Sequence, residues 1–295
     1  MQFMGYRRED GRVGVRNYVL ILPGCACASE TCRLVASEVR GTKNVIMNVG
    51  CSDVQANTDM NLRVLTGFAL NPNVFGVIVI GLGCETVGHR ELAAKIRAET
   101  SKPVVSFGIQ EIGGTVATTA AAVKAAREMV AQASEQQREP CDASDLFVAI
   151  ECGGSDATSG IASNPAVGNM SDRIVDLGGT TMMSETIEFV GAEHILAKRG
   201  ATPEIHDQII RICEDYEKHL AGVGQDCRTG QPTTGNKAGG LSTIEEKSLG
   251  CIHKGGTRPG VEGLQEAARP TKKGALIMDT PGYDISSVTS MVAGG

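Results

Sequence analysis

Short apolar runs rich in β-branched residues alternate with longer segments of helical period, and that alternation confines this chain to an α/β fold. In Asn17–Leu22, Asn44–Val49, Val74–Ile80 and Pro103–Phe107 the apolar residues are near-continuous. Such runs suit parallel strands covered on both faces. Helical patterns follow at Ser29–Arg40, Asn57–Leu70 and Thr86–Glu99, and a longer Ala-rich one spans Glu111–Glu135. The polar, Pro-containing stretch Ser134–Ser144 interrupts the pattern and predicts a linker, which sets expected domains at 1–138 and 139–295. The second domain opens with a strand at Leu146–Ile150, and further strands are expected at Thr180–Met183 and Ala275–Asp279. Its clearest helix starts after Thr202 as N-cap with Pro203 in the first turn, and Ile205, Ile209, Ile212, Tyr216 and Leu220 share one face. Residues Gly222–Gly260, rich in Gly, Thr, Lys and Pro, are expected to form an ordered functional loop. The end at Met291–Gly295, with no closing helix or polar tail, gives the expectation that the second domain is cut short. The fold class is therefore α/β: two Rossmann-like parallel-sheet domains, the second incomplete at its C-terminus.

With 295 residues there is room for two domains, and a net charge of −6 argues against a nucleic-acid surface, which needs a basic excess. Trp is absent and aromatics are 3%, so there are no stacking platforms for single strands. No segment reaches the roughly 18 apolar residues of a membrane helix, and the opening MQFMGYRREDGRVGVRN lacks a signal-peptide core. The expected location is the cytoplasm, where the ten cysteines would be reduced thiols.

Three strands each finish in Gly-Cys, at Gly24-Cys25, Gly50-Cys51 and Gly83-Cys84. Carboxyl ends of parallel strands line one edge of a sheet, where ligands bind. Converging thiolates there suit iron, an Fe–S cluster or zinc. The competing reading is that small cysteines merely fill crowded strand ends. A second feature, Glu151-Cys-Gly-Gly-Ser-Asp156 with Asn164 beyond, places Gly153, Gly154, Ser155 and Asp156 in a turn whose amides cradle an anion; Cys152 adds a thiolate. It fits neither a P-loop nor a dinucleotide fingerprint. Glu185, Glu193 and His194 form a third group of ligands or acid–base residues, and with Cys152 they define a rival mononuclear metal site. In Gly235–Leu241 and Glu246–Lys254, Lys237 and Lys247 are candidate bases or anion binders, Lys237 being the least ordinary of the lysines. Arg16 with Asn17, directly before a strand, is a candidate carboxylate clamp, whereas Arg7 and Arg8 read as a solvated basic start.

These segments together resemble the altronate and galactarate dehydratase family, which also includes the large subunit of sulfolactate sulfo-lyase. The resemblance is carried by Gly5–Arg8, Gly11–Asn17, Gly81–Glu85, Glu151–Asp156, Ser184–Thr186, Gly191–Glu193, Gly235–Gly240 and Glu246–Cys251. It implies an iron-dependent hydro-lyase that removes water from a sugar acid and gives a 2-keto-3-deoxy product. The iron, Fe2+ or an Fe–S cluster, would sit on Cys25, Cys51 and Cys84 or, at the rival mononuclear site, on Cys152 with Glu185, Glu193 and His194. Catalysis would rest on Lys237, Lys247 and Glu185, and substrate would be held by Arg16, Asn17, Gly153, Gly154, Ser155, Asp156 and Asn164. The resemblance further implies a hydroxy-acid substrate, a separate small β-rich subunit, a homodimer, and a C-terminal domain that continues past Gly295. Two other readings are release of sulfite from sulfolactate and a non-catalytic binding subunit.

Overall fold

The computed structural model describes residues 1–295, which divide into two compact units: Gln2–Cys141, and Asp142–Gly295 together with Met1. The first unit runs β1 (Gln2–Arg7), β2 (Val13–Gly14), β3 (Tyr18–Pro23), α1 (Ala26–Glu38), β4 (Thr42–Asn44), α2 (Gln55–Leu70), β5 (Val74–Gly81), α3 (His89–Glu99), β6 (Val104–Gly108), α4 (Ile109–Ile112), α5 (Thr115–Glu135) and β7 (Glu139–Asp142). Its main sheet has the order β4-β3-β5-β6 with every pairing parallel. Alternate residues of β3 and β5 enter two different cores. Val19, Ile21, Ile78 and Ile80 pack with Ala28, Val35, Ala122 and Ala126, while Leu20, Leu22, Val77 and Val79 pack with Leu65, Ala69, Leu92 and Ile96. Both faces are covered, which is why these strands read as unbroken apolar runs.

Three expectations need correction here. The strand expected over Asn44–Val49 pairs only at Thr42–Asn44; beyond it, the Ser29 hydroxyl donates to Met47 O at 3.0 Å and accepts from Met47 N at 3.0 Å, in place of a neighbouring strand. Ile46 is left 70% exposed. The long Ala-rich helix is broken at Gly113 and Gly114, whose φ values of +100° and +110° are open to glycine but costly for other residues. The stretch read as a linker contains β7, which joins a small sheet of order β2-β1-β7, with Cys141 buried and Glu139 ion-paired to Arg7.

The second unit runs β8 (Phe147–Ile150), α6 (Asn164–Asp176), β9 (Thr180–Met183), α7 (Glu193–Ala197), α8 (Pro203–Gly222), α9 (Cys227–Gly230), α10 (Thr234–Ala238), α11 (Ile244–Cys251), β10 (Gly260–Leu264), β11 (Ala275–Met278) and α12 (Asp284–Gly294). Single helical turns at Ser159–Ser163, Thr186–Glu188 and Ile252–Gly255 fill the connections. The sheet order is β10-β11-β9-β8, again parallel throughout. Thus both main sheets are of Rossmann-like, parallel type. The Thr202 side chain accepts from Ile205 N and caps α8, whose Ile205 and Ile209 are buried against Phe189, Val190 and Leu196. Leu276, Met278 and Met182 pack with Leu264 and Met291 of α12 on the other face. The expected loop over 222–260 holds three short helices. The terminal segment, expected to lack a helix, forms α12. No helix is long and apolar enough to cross a membrane.

Candidate functional site

In the second unit the carboxyl ends of β8, β9 and β11 bring together Glu151-Cys152, Ser184-Glu185 and Asp279-Thr280. Each strand delivers its polar residues directly after its last apolar one. Glu185 takes φ +70° at the turn, an uncommon conformation for a glutamate. It is held there by its own amide donating to Thr280 Oγ1 at 2.8 Å and by its Oε2 accepting from Cys152 N at 2.9 Å. Thr186 in turn donates to Asp279 Oδ1 at 2.6 Å. Glu188, one helical turn on, and Lys254, on the turn after α11, form a short buried ion pair, and Lys254 Nζ also lies 3.6 Å from Glu185 Oε2. Lys254, Glu185 and Glu188 are 3%, 3% and 2% exposed. Lys247 Nζ stands 3.7 Å from Glu188 Oε1 and donates to Gln231 Oε1 at 3.1 Å and Asn236 Oδ1 at 3.3 Å.

These neighbours set the charges. Burial, reinforced by Glu185 alongside, pushes Glu151 up to about 8, so it carries a proton near neutral pH. Burial and the Glu188 charge also raise Glu185. Burial opposes ionisation of Glu188, yet Lys254 and other donors hold it below the usual carboxylate range. Burial likewise opposes charge on Lys254, and Glu188 with the two nearby cysteines overcomes it, so Lys254 is raised. The influence of Cys251 holds Cys152 below the usual thiol value against the effect of burial, and Cys152 together with burial raises Cys251. A proton-bearing carboxyl and a strongly charged ion pair therefore share one water-poor cluster. Groups with divided titration of this kind are what acid–base chemistry uses.

A cleft of about 240 Å³ in the same unit is lined by Ser155, Asn164, Lys247, Gly250, Cys251 and His253, among others. Gly153 and Gly154 are exposed, and a Cβ at either would meet nothing within 4 Å, so this turn borders open space. Ser155 is buried, and its carbonyl accepts from Asn236 Nδ2 at 2.9 Å. Asp156 serves its own turn, its Oδ1 accepting from Thr158 N at 2.8 Å and Ser159 N at 2.9 Å. Asn164 donates to Gly250 O at 3.1 Å and joins α6 to α11.

The ligand atoms of Cys152, Glu185 and Glu188 lie within 4.8 Å of one another, as do those of Glu151, Glu185 and Asp284. The first set fits a cation. Its two buried carboxylates and its sulfur outnumber the one fully buried lysine; in the second set, Glu151 Oε1 is buried with no hydrogen-bond partner. Cys25, Cys51 and Cys84 are not such a group. Their turns are neighbours: Thr86 N donates to Gly50 O at 2.8 Å, and a Cβ on Gly50 would come within 2.5 Å of Cys25 Cβ. Cys25 is nevertheless buried, which pushes its thiol up, while Cys51 and Cys84 are exposed. Glu193 is also outside both ligand groups and accepts from Gly191 N at 2.5 Å; His194 is exposed. Lys237 is exposed on α10, where Asn236 makes the contacts. Arg16 and Asn17 lie before β3, at the opposite end of its sheet from Cys25. The Asn17 amide is committed to Ala133 O at 2.8 Å and to Arg8 at 2.8 Å.

Sequence reasoning passed over Glu188, and it included Lys254 in the Glu246–Lys254 segment but preferred Lys237 and Lys247 for a role. The available signal for Glu188 is its three-residue spacing from Glu185, which places both on one side of a tight turn.

Residues 5–134 match the family model described as "D-galactarate dehydratase/Altronate hydrolase, second domain", and residues 143–295 match "D-galactarate/Altronate dehydratase, C-terminal". The chain is 41% identical to the (2R)-sulfolactate sulfo-lyase subunit beta of Chromohalobacter salexigens, over 99% of this chain and 75% of that protein. It is 33% identical to altronate dehydratase of Bacillus subtilis and 34% identical to galactarate dehydratase (L-threo-forming) of Escherichia coli, in each case over 99% of this chain. The chain spans 60% of the length of these two dehydratases. With both units matched in order and relatives aligned along nearly all of it, the chain belongs to the altronate/galactarate dehydratase family.

Proposed function

We propose that this chain is the catalytic part of an iron-dependent lyase acting on a 2-hydroxy acid. It removes the proton on the carbon next to the carboxylate and expels the substituent one carbon further on. For a sugar acid such as altronate or galactarate the leaving group is water, and the enol that results becomes a 2-keto-3-deoxy acid. The observation that carries this reading is the strand-end cluster, where Glu151 holds a proton near neutral pH beside the charged Lys254–Glu188 pair. An elimination of this kind needs an acid for the departing oxygen and positive charge for the enediolate, and both are present.

In this reading the substrate carboxylate lies in the cleft against the Gly153-Gly154 amides and Ser155, with Asn164 fixing the wall. Lys247, on the cleft wall, takes the α-proton. Glu151 gives its proton to the leaving hydroxyl. Lys254 keeps Glu185 and Glu188 in place. Iron held by Cys152, Glu185 and Glu188 would add Lewis-acid polarisation of the substrate oxygens. The rival seat is a cluster on Cys25, Cys51 and Cys84, whose adjacent turns suit a group larger than one ion. Anaerobic iron and sulfide analysis separates them: sulfide in step with iron supports the cluster, and iron without sulfide supports the second-unit site.

The sulfo-lyase alternative has its own support, since that relative matches at 41% and the dehydratases at 31–34%. The α-proton step is the same and the leaving group is sulfite. The same relative's name, subunit beta, supports a partner subunit here. The test is an anaerobic, iron-loaded assay with altronate, galactarate and sulfolactate, following keto acid, sulfite and the deuterium that enters C3 of the keto acid from heavy water. Keto acid without sulfite supports the dehydratase reading, and sulfite supports the alternative. Formation of neither keto acid nor sulfite from any of the three substrates rejects both.

A further inference from the structure

Two side-chain amides hold Lys247 from behind. Its Nζ donates to Gln231 Oε1 at 3.1 Å and to Asn236 Oδ1 at 3.3 Å. Lys247 lines the cleft, and neither amide residue does. Both acceptors are themselves fixed. Gln231 ends α9, where its backbone amide donates to Cys227 O at 2.9 Å, and the buried Pro232 follows it. Asn236 Oδ1 also accepts from Thr233 N at 3.3 Å, in the capping box that starts α10, and Asn236 Nδ2 donates to Ser155 O at 2.9 Å. A carbonyl only accepts, so the Asn236 amide has its nitrogen toward Ser155 and its oxygen toward Lys247. One residue thus ties the buried Ser155 to the lysine of the cleft wall.

An amine nitrogen has three directions besides its stem. A lysine that takes a proton from carbon uses a lone pair in one of them and keeps N–H bonds in the other two. Gln231 and Asn236 supply two neutral acceptors from outside the cleft wall, and Glu188 Oε1 at 3.7 Å is too far to be a third. We infer that Gln231 and Asn236 are positioning residues, which occupy two directions of the Lys247 nitrogen and leave the third turned into the cleft, toward the α-proton of a bound hydroxy acid. Asn236 has a second task, since it holds Ser155 and with it one side of the carboxylate seat. The inference rests on the lyase reading for what Lys247 does, while the placement of its nitrogen is structural and is tested separately.

Gln231→Met keeps an unbranched side chain and removes the acceptor, and Asn236→Leu removes both Asn236 bonds. Each variant, with and without Lys247→Met, is assayed anaerobically and iron-loaded on altronate, galactarate and sulfolactate. Gln231→Met should lower kcat by about 10- to 100-fold with KM unchanged within about twofold, because a displacement of about 1 Å at the reacting group costs this much. Asn236→Leu should lower kcat and also raise KM, because Ser155 is freed. In the Lys247→Met background neither should lower kcat further, and Asn236→Leu should still raise KM. An unchanged kcat in Gln231→Met, or a loss that adds in full to that of Lys247→Met as a packing defect would, overturns the inference. Crystal structures of the unaltered chain and of Gln231→Met give a readout without turnover. The Lys247 nitrogen should be displaced or spread over several positions in the variant, and a nitrogen that keeps its place overturns the inference whatever the activity. Turnover by Lys247→Met at the unaltered rate would remove the base from the lyase reading; the placement is then upheld or overturned by the crystal comparison.

Discussion

Replacing Lys254 with methionine tests the electrostatic account of the strand-end cluster. The side chain is 3% exposed, and it compensates Glu188 at 2% and Glu185 at 3% exposure. Methionine keeps much of the volume and deletes the charge. Two carboxylates are then left in a buried place with only Lys247 near, its Nζ 3.7 Å from Glu188. Removing one partner of a buried pair costs about 3–5 kcal/mol, because the remaining charge is uncompensated. For a unit of this size that corresponds to a drop of roughly 6–20 °C in unfolding midpoint. The loss should also depend on pH, with a sign that can be worked out. In the unaltered chain Glu188 titrates below its ordinary value of 4.5, so its contribution is present at neutral pH and lost only on acidification through the lowered value. In the variant, burial acts on Glu188 without the ammonium and raises it. The penalty is then full at about pH 8 and shrinks toward about pH 5 as the carboxyl takes up a proton. Calorimetry and urea unfolding of both proteins across that range measure the gap. Adding Glu188→Gln to the variant should recover part of the loss at neutral pH. A midpoint change below about 2 °C, or a gap that stays constant with pH, would refute the reasoning.

Glu151 titrates at about 8 against an ordinary 4.5, so the stability it lends is present at low pH and declines as pH rises through that interval; Glu151→Gln should flatten this part of the urea-unfolding pH profile. Thr202→Ala removes the cap on Ile205 N and should cost about 1 kcal/mol, read as a lower urea midpoint with an unchanged slope. Gly168→Ala places a methyl 2.1 Å from His253 O, next to Lys254; overpacking of about 1–3 kcal/mol is expected, and unchanged thermal stability would contradict the packing of α6 on that turn. Phe189→Ala, at a fully buried position, should cost about 3–5 kcal/mol in the same assay.

The sheets were readable from sequence because continuous apolar runs follow directly from burial on both faces, as at Val77–Ile80. The cap at Thr202-Pro203 was readable because it is local chemistry. What escaped were features decided by tertiary partners. β10 carries glycines at 260 and 263 and holds as a strand because β11 pairs with it. Residues 45–49 have strand composition but leave the sheet, since a serine side chain satisfies Met47. At the site, Cys152, Glu185 and Lys247 were legible as residue types near strand ends and glycine turns. Glu188 and Lys254 were not, because a charged residue in sequence looks solvated until its partner, 66 positions away, is seen.

The first unit starts on β1 and ends on β7, which are neighbours in one small sheet pinned by Arg7 and Glu139. A unit whose two ends lie side by side can be excised or inserted elsewhere at little topological cost. Gln2–Cys141 thus has the layout of a unit that could be cut out or spliced in at its paired ends without rethreading its core.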